Sequence, residues 1–147
     1  MERGRRIAFD FGDARIGVAV SDPDSILASP VTTLDTKSHD LWDQIFQIFS
    51  EYEPIEIYVG RPIHLAGHES DSTAKSESFA KEIHERFGLD VSLIDERLST
   101  VSAQRKLKDA GLSIRDSKRA IDQASAVAIL ELALETAKTR DGHGTNE

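Results

Sequence analysis

Cysteine is absent from the 147-residue chain, tryptophan and methionine occur once each, and aromatic residues make up 6%. Without cysteine there is no disulfide scaffold, no thiol nucleophile and no Cys-ligated zinc, and a reducing, cytoplasmic setting fits. Four prolines and nine glycines are too few for a fibrous or low-complexity chain. No apolar run approaches the roughly 18 residues needed to cross a bilayer. The basic start Met1-Glu2-Arg3-Gly4-Arg5-Arg6 leads into a short alternating segment that soon meets Asp10, so neither a membrane span nor a signal peptide is expected. Positive charge is in deficit too: 18 Lys+Arg against 26 Asp+Glu leave −8, which argues against a chain that coats nucleic acid by bulk electrostatics.

What remains is ordinary globular composition, 39% hydrophobic and 30% charged. A single domain of this size buries about 68–70% of its unfolded surface and needs no outside staples. One domain is expected over residues 1–139, followed by a mobile tail, 140–147, that lacks apolar anchors. Charge is unevenly spread. Between Arg97 and Ala120 stand seven basic residues (Arg97, Arg105, Lys106, Lys108, Arg115, Lys118, Arg119) and two acidic ones (Asp109, Asp116), a local +5 that leaves −13 elsewhere. A polyanion can bind here, although for a charge run taken alone a solvated helix surface is the commoner explanation.

Two alternating runs, Arg6 to Phe11 and Arg15 to Ser21, flank the Gly-bearing turn Gly12-Asp13-Ala14 and read as an antiparallel hairpin. Ile7, Phe9 and Phe11 share one face. Ala8 and Asp10 share the other, and Gly17 and Ala19 keep the second strand equally lean, leaving room beside the aspartate. Asp22-Pro23-Asp24-Ser25 is a turn, and a third strand is expected between Ala28 and Asp35. From Ser38 to Glu53, Leu41, Ile45, Ile48 and Tyr52 recur at helical spacing, with Trp42, Phe46 and Phe49 widening the stripe, until Pro54 ends the helix. A fourth strand follows over Ile55 to Gly60, then an irregular loop from Arg61 to Asp71. A second helix runs from about Ser72 to Phe87 with Gly88 at its C′ position, and a fifth strand spans Val91 to Glu96. Ser99 or Thr100 caps a short helix through Ala110, and a last helix begins near Asp116 or Ser117 and reaches about Thr139. The order implies an α/β fold, a mixed five-stranded sheet flanked by helices.

Three acids have surroundings unlike those of ordinary surface carboxylates. Asp10 lies inside the first strand, Glu96 ends an apolar strand, and Asp122 shares a helix face with Ser125, Ala126, Ile129 and Ala133. A carboxylate buried alone there is costly; it must be neutral, paired or bound to a cation. If the first and last strands are neighbours and the final helix crosses them, the three converge, and such a group needs a cation among them. Hard divalent ions such as Mg²⁺ or Mn²⁺ suit oxygen ligands, and two of them about 3.5–4 Å apart can clamp an in-line phosphoryl displacement. Each acid also has a structural alternative: Asp10 holding the hairpin turn, Glu96 pairing with Arg97 or Arg15, Asp122 serving the helix dipole.

The blocks Asp10-Phe11-Gly12-Asp13-Ala14-Arg15-Ile16-Gly17-Val18-Ala19, Val59-Gly60-Arg61-Pro62, Asp95-Glu96-Arg97-Leu98-Ser99-Thr100 and Ile121-Asp122-Gln123-Ala124-Ser125-Ala126, in this order, resemble the YqgF family of bacterial ribonuclease-H-like nucleases. The resemblance spans Arg6 to about Thr139. It implies a ribonuclease-H-like fold, divalent-metal-dependent phosphodiester cleavage with Asp10, Glu96 and Asp122 as catalytic residues and metal ligands, a cytoplasmic location, and maturation of the 5′ end of pre-16S ribosomal RNA in ribosome biogenesis. Resolution of four-way DNA junctions is the other activity described for the family. Two positions depart from its usual pattern: Arg61 stands where an apolar residue is more common, and Ser99 where threonine is. Neither removes a ligand.

Supporting residues follow from physical argument. Arg97, next to a proposed ligand, can bind the scissile phosphate or pair with an acid. Ser99 and Thr100 can seat a phosphate or only cap a helix. Arg15, Lys118 and Arg119 can lead a nucleic-acid backbone to the acids. His64 and His68, four apart in a loop, are expected to be solvent-exposed. Asp10-x-Gly12 with Gly17 also resembles the first phosphate loop of actin-like ATPases, but those need a second lobe that 147 residues cannot supply. A non-catalytic RNA-binding or ribosome-associated module is the remaining rival. Pre-rRNA, alone or within ribosomal precursor particles, is the favoured partner over DNA, because a junction resolvase needs paired sites and a broad cationic floor. Oligomeric state is not readable.

Overall fold

Alternation and helical spacing become elements in the order β1 (Arg6–Phe11), β2 (Arg15–Ser21), β3 (Ala28–Asp35), α1 (Leu41–Tyr52), β4 (Glu56–Arg61), α2 (Asp71–Phe87), β5 (Asp90–Asp95) and α3 (Arg115–Thr145). The computed structural model describes residues 2–61, 71–96 and 115–145. The expected short helix from Ser99 or Thr100 to Ala110, and the loop residues 62–70 with His64 and His68, lie outside the described residues.

The five strands form one mixed sheet in the order β3-β2-β1-β4-β5. β1 pairs antiparallel with β2, and β2 with β3, while β1–β4 and β4–β5 are parallel. Parallel neighbours need a crossover, which α1 supplies before β4 and α2 before β5. The first and last strands do not adjoin, since β4 lies between β1 and β5. β2 already occupies one edge of β1, so β4 takes the other, and β5 pairs with the edge of β4 that is left.

The two sheet faces bury different side chains, as the alternation in β1 dictates. On one face Ile7, Phe9, Ile16, Val18, Ile57 and Val59 pack against Ile45, Ile48 and Phe49 of α1 and Phe79 and Ile83 of α2. Phe9 meets Phe79 edge-on at 5.3 Å, a contact that adds about 0.5–1.5 kcal/mol to the burial itself. The other face is leaner: Ala8, Ala19 and Tyr58 meet Ala126, Ile129, Leu130, Ala133 and Leu134 of α3. Small strand residues let that helix approach closely, and closeness is what brings Asp122 to the sheet.

Helix ends follow local chemistry. Glu53, left-handed at φ 49°, donates its N–H to Phe49 and closes α1 before Pro54, and Gly88 at φ 68° closes α2 as expected. Asp22 accepts the N–H groups of Ile26 and Leu27 at 2.7 and 2.9 Å, which fixes the β2–β3 turn. Two readings differ from expectation. Phe46 is 60% exposed, so the stripe on α1 is narrower than its sequence suggests. The last helix continues to Thr145 rather than stopping near Thr139, because no proline interrupts it and elongation of an existing helix needs little per residue.

Candidate active site

One row across the sheet builds the site. Asp10 of β1 faces Gly17 of β2, and Gly17 in turn faces Thr33 of β3. On the other side, Phe9 pairs with Val59, so the next residues along, Asp10 and Gly60, stand side by side. Gly60 pairs with Ile94 of β5. Thr33, Gly17, Asp10, Gly60 and Ile94 therefore lie roughly in line, and neighbouring strands are about 4.8 Å apart.

Both glycines are required by what sits above them. A Cβ on Gly17 would stand 2.0 Å from the main-chain oxygen of Asp122, so the helix backbone rests directly on that glycine. A Cβ on Gly60 would stand 2.8 Å from Oε1 of Glu96 and 2.3 Å from Cδ1 of Ile129. Asp122 thus enters from the β2 side and Glu96 from the β4 side, with Asp10 between them. The glycine at the end of β4 lets Glu96 reach inward although a whole strand separates β5 from β1. All three acids are buried, at 5%, 4% and 5% exposure for Asp10, Glu96 and Asp122. None is without a polar partner. For Asp122 one partner is Arg15, whose Nε donates to Oδ2 at 2.6 Å.

Arg15 pairs with Asp122, not with Glu96. Arg119 donates to the main-chain oxygen of Thr33 at 3.2 Å and to Asp35 at 2.9 Å. Lys118 is half-buried at the start of α3. Arg97, Ser99 and Thr100 lie outside the described residues. Arg61 forms an ion pair with Glu77 at 2.7 Å, and Lys75 with Asp13 at 3.0 Å. Sequence reasoning assigned no role to Thr33, Gln123 or Gly60; Gly60 and Gln123 stand within the blocks that carry the family resemblance, and Thr33 left no signal.

Among the described residues no group of three or more His, Asp or Glu side chains is already gathered as a metal cage. The donor chemistry suits a hard divalent cation, since Asp10, Glu96 and Asp122 offer buried carboxylate oxygens, while the places directly over the two glycines are taken by the Asp122 main chain on one side and by Ile129 and Oε1 of Glu96 on the other.

Comparison with known proteins agrees with this architecture. Residues 4–136 match the family profile described as "RuvX: Holliday junction resolvase". The chain belongs to this family. A relative from Streptomyces coelicolor, which carries the provisional name of pre-16S rRNA nuclease, is 45% identical over 138 residues, covering 92% of this chain and 83% of its own length. One from Mycobacteroides abscessus, with the same provisional name, is 43% identical over 136 residues, covering 90% and 82%. Among solved structures, Thermus thermophilus RuvC in complex with a Holliday junction substrate superposes with a TM-score of 0.59 over 92% of this chain and 96% of that one, at 14% identity. That likeness shows the fold, which is ribonuclease-H-like. This RuvX-family chain is a nuclease by family, and no helix among its described residues is long and apolar enough to cross a membrane.

Proposed function

We propose that the chain is a divalent-metal-dependent phosphodiesterase that processes the 5′ end of precursor 16S ribosomal RNA, free or in ribosomal precursor particles in the cytoplasm. The observation that carries the reading is the row of Asp10 between two glycines, with the main chain of Asp122 over one and the Glu96 carboxylate over the other. Asp10, Glu96 and Asp122 would hold Mg²⁺ or Mn²⁺, with two ions expected. When bound, such ions stabilise the attacking and leaving oxygens of an in-line displacement.

The protein's own residues do the rest. Burial of the acids keeps bulk water from competing for the carboxylate oxygens and strengthens their pull on a cation. Arg15 neutralises Asp122 within the fold while 23% of its side chain stays exposed, so its guanidinium is placed to meet a phosphate at the rim. Lys118 stands one turn before Asp122, and Arg97, Ser99 and Thr100 follow Glu96 directly in sequence, where cationic and hydroxyl groups can orient the scissile phosphate. The relatives' names support an rRNA substrate. A four-way DNA junction is the second reading, favoured by the description of the family. The overall charge of −8 speaks against it.

The test is cleavage of a 16S precursor transcript and of a four-way DNA junction, side by side, with Mg²⁺, with Mn²⁺ and with chelator. Metal-dependent cutting of the transcript at its 5′ leader supports the proposal. Cutting of the junction alone would replace RNA with DNA as substrate, and cutting of neither would return the chain to the class of binding modules.

A further inference from the structure

Asp122 is the acid with the most exacting placement, because it comes from a helix rather than from the sheet. Two elements pack by side-chain complementarity with a tolerance of about an ångström, yet a misplacement of that size at a reacting centre can reduce rate by about 100-fold. Something must fix the start of α3 on the sheet. The first turns of that helix cannot rely on apolar packing alone, since its buried aliphatic residues begin with Ala126 and continue towards its C-terminal end.

The polar contacts around Thr33 meet the requirement. The Thr33 hydroxyl donates to the main-chain oxygen of Arg119 at 2.9 Å and accepts from Nε2 of Gln123 at 3.2 Å. The Arg119 guanidinium returns two bonds to the same strand, to the main-chain oxygen of Thr33 at 3.2 Å and to Asp35 at 2.9 Å. These four bonds bracket Asp122, at positions 119 and 123 of one helix. The Asp35 that takes Arg119 is itself the register partner of Arg15, which holds Asp122. Two arginines thus bind acids in opposite directions across one seam, Arg15 from sheet to helix and Arg119 from helix to sheet.

We infer that Arg119, with Thr33 and Gln123, clamps the start of α3 to β3 and sets where Asp122 stands, so that Arg119 is a positioning residue and not an RNA contact. This rests on the proposed nuclease reading for its catalytic consequence but not for its structural one. Both Nη groups of Arg119 are turned to β3, one to a carbonyl and one to an acid, whereas Arg15 holds Asp122 through Nε. Of the paired basic residues before Asp122, Lys118 is left for the RNA.

The experiment compares Arg119→Ala, Thr33→Val and Lys118→Ala in the full chain. Arg119→Ala is expected to lower kcat on the precursor transcript about tenfold while KM, RNA affinity in chelator and the salt dependence of that affinity stay as in the parent protein. Thr33→Val is expected to act in the same direction. Lys118→Ala is expected to do the reverse, weakening affinity and reducing the salt slope by about 0.7, the contribution of one phosphate contact on a single strand. Two further readings are independent of catalysis: the Mn²⁺ concentration that half-stabilises the protein against heat should rise several-fold in Arg119→Ala, and amide exchange over residues 120–125 should accelerate. Lost RNA affinity with a shallower salt slope and unchanged kcat in Arg119→Ala would overturn the inference, as would unchanged exchange over 120–125. If the parent protein cleaves nothing, the nuclease reading fails and exchange alone decides the clamp.

Discussion

Replacing Gly17 with alanine adds one methyl group at the place where helix and sheet are closest. Its Cβ would lie 2.0 Å from the main-chain oxygen of Asp122 and 2.5 Å from the carbonyl carbon. Ordinary contact begins near 3.4 Å, so about 1.4 Å of separation must be found. Neither party can swing aside, because both are main chain and the strand is paired on both edges. The helix must lift, opening the seam lined by Ala8, Ala19, Ala126 and Ile129. Overpacking a core costs typically 1–3 kcal/mol, and a rigid collision belongs at about 3 kcal/mol. For a chain of this size that lowers Tm by about 6–12 °C. The same displacement carries Asp122 off its position, with an expected loss of about 100-fold in cleavage. Gly88→Ala is the control: its Cβ meets open space but its φ of +68° is strained, so it should cost about 1 kcal/mol and leave cleavage per folded molecule unchanged. Urea unfolding and single-turnover cleavage measure the two effects. Parental stability and rate in Gly17→Ala would refute the close seat of α3 on β2.

Asp10→Asn, Glu96→Gln and Asp122→Asn should each reduce cleavage to background with the thermal transition largely intact; retained cleavage in all three would remove the site. Tyr58→Phe should stabilise the fold by about 1 kcal/mol, seen as a higher Tm, because the buried Tyr58 hydroxyl makes no well-formed hydrogen bond. Burial, and then the Glu56 carboxylate, push the Tyr58 phenol above its ordinary value of 10.0, so the folded chain keeps a proton that the unfolded chain loses. Stability from this group is complete below pH 10 and falls above it, and Tyr58→Phe should flatten that alkaline limb of a Tm–pH profile. At the other end, the Leu27 N–H and then that of Ile26 hold the Asp22 carboxyl below its ordinary 3.8. Its contribution is present above that value and lost as pH falls through the folded one, so Asp22→Asn should make the acid limb shallower.

The hairpin was legible because its information is local. Alternation over Arg6 to Phe11 and Arg15 to Ser21 states at once the strand, its two faces and the room beside Asp10, and the observed bounds coincide with the expected ones. The small face of α3 was legible for the same reason, since Ser125, Ala126, Ile129 and Ala133 repeat at helical spacing and are all buried. Strand order was not. Nothing in the spacing of β4 or β5 says which lies nearer β1, and Glu96 comes over the bare Cα of Gly60 from a strand that does not adjoin β1. Arg119 illustrates the other limit: it follows Lys118 in a locally basic stretch, which suggests RNA, while its partners Thr33 and Asp35 are 86 and 84 residues away. A charge run shows what is positive; only tertiary contacts show which of those charges are already matched.

The most direct test of the account is anomalous diffraction from crystals of the protein equilibrated with Mn²⁺. The account predicts manganese peaks ligated by carboxylate oxygens of Asp10, Glu96 and Asp122. Manganese bound to a different set of residues, or none on these three acids at concentrations that support cleavage, would contradict it.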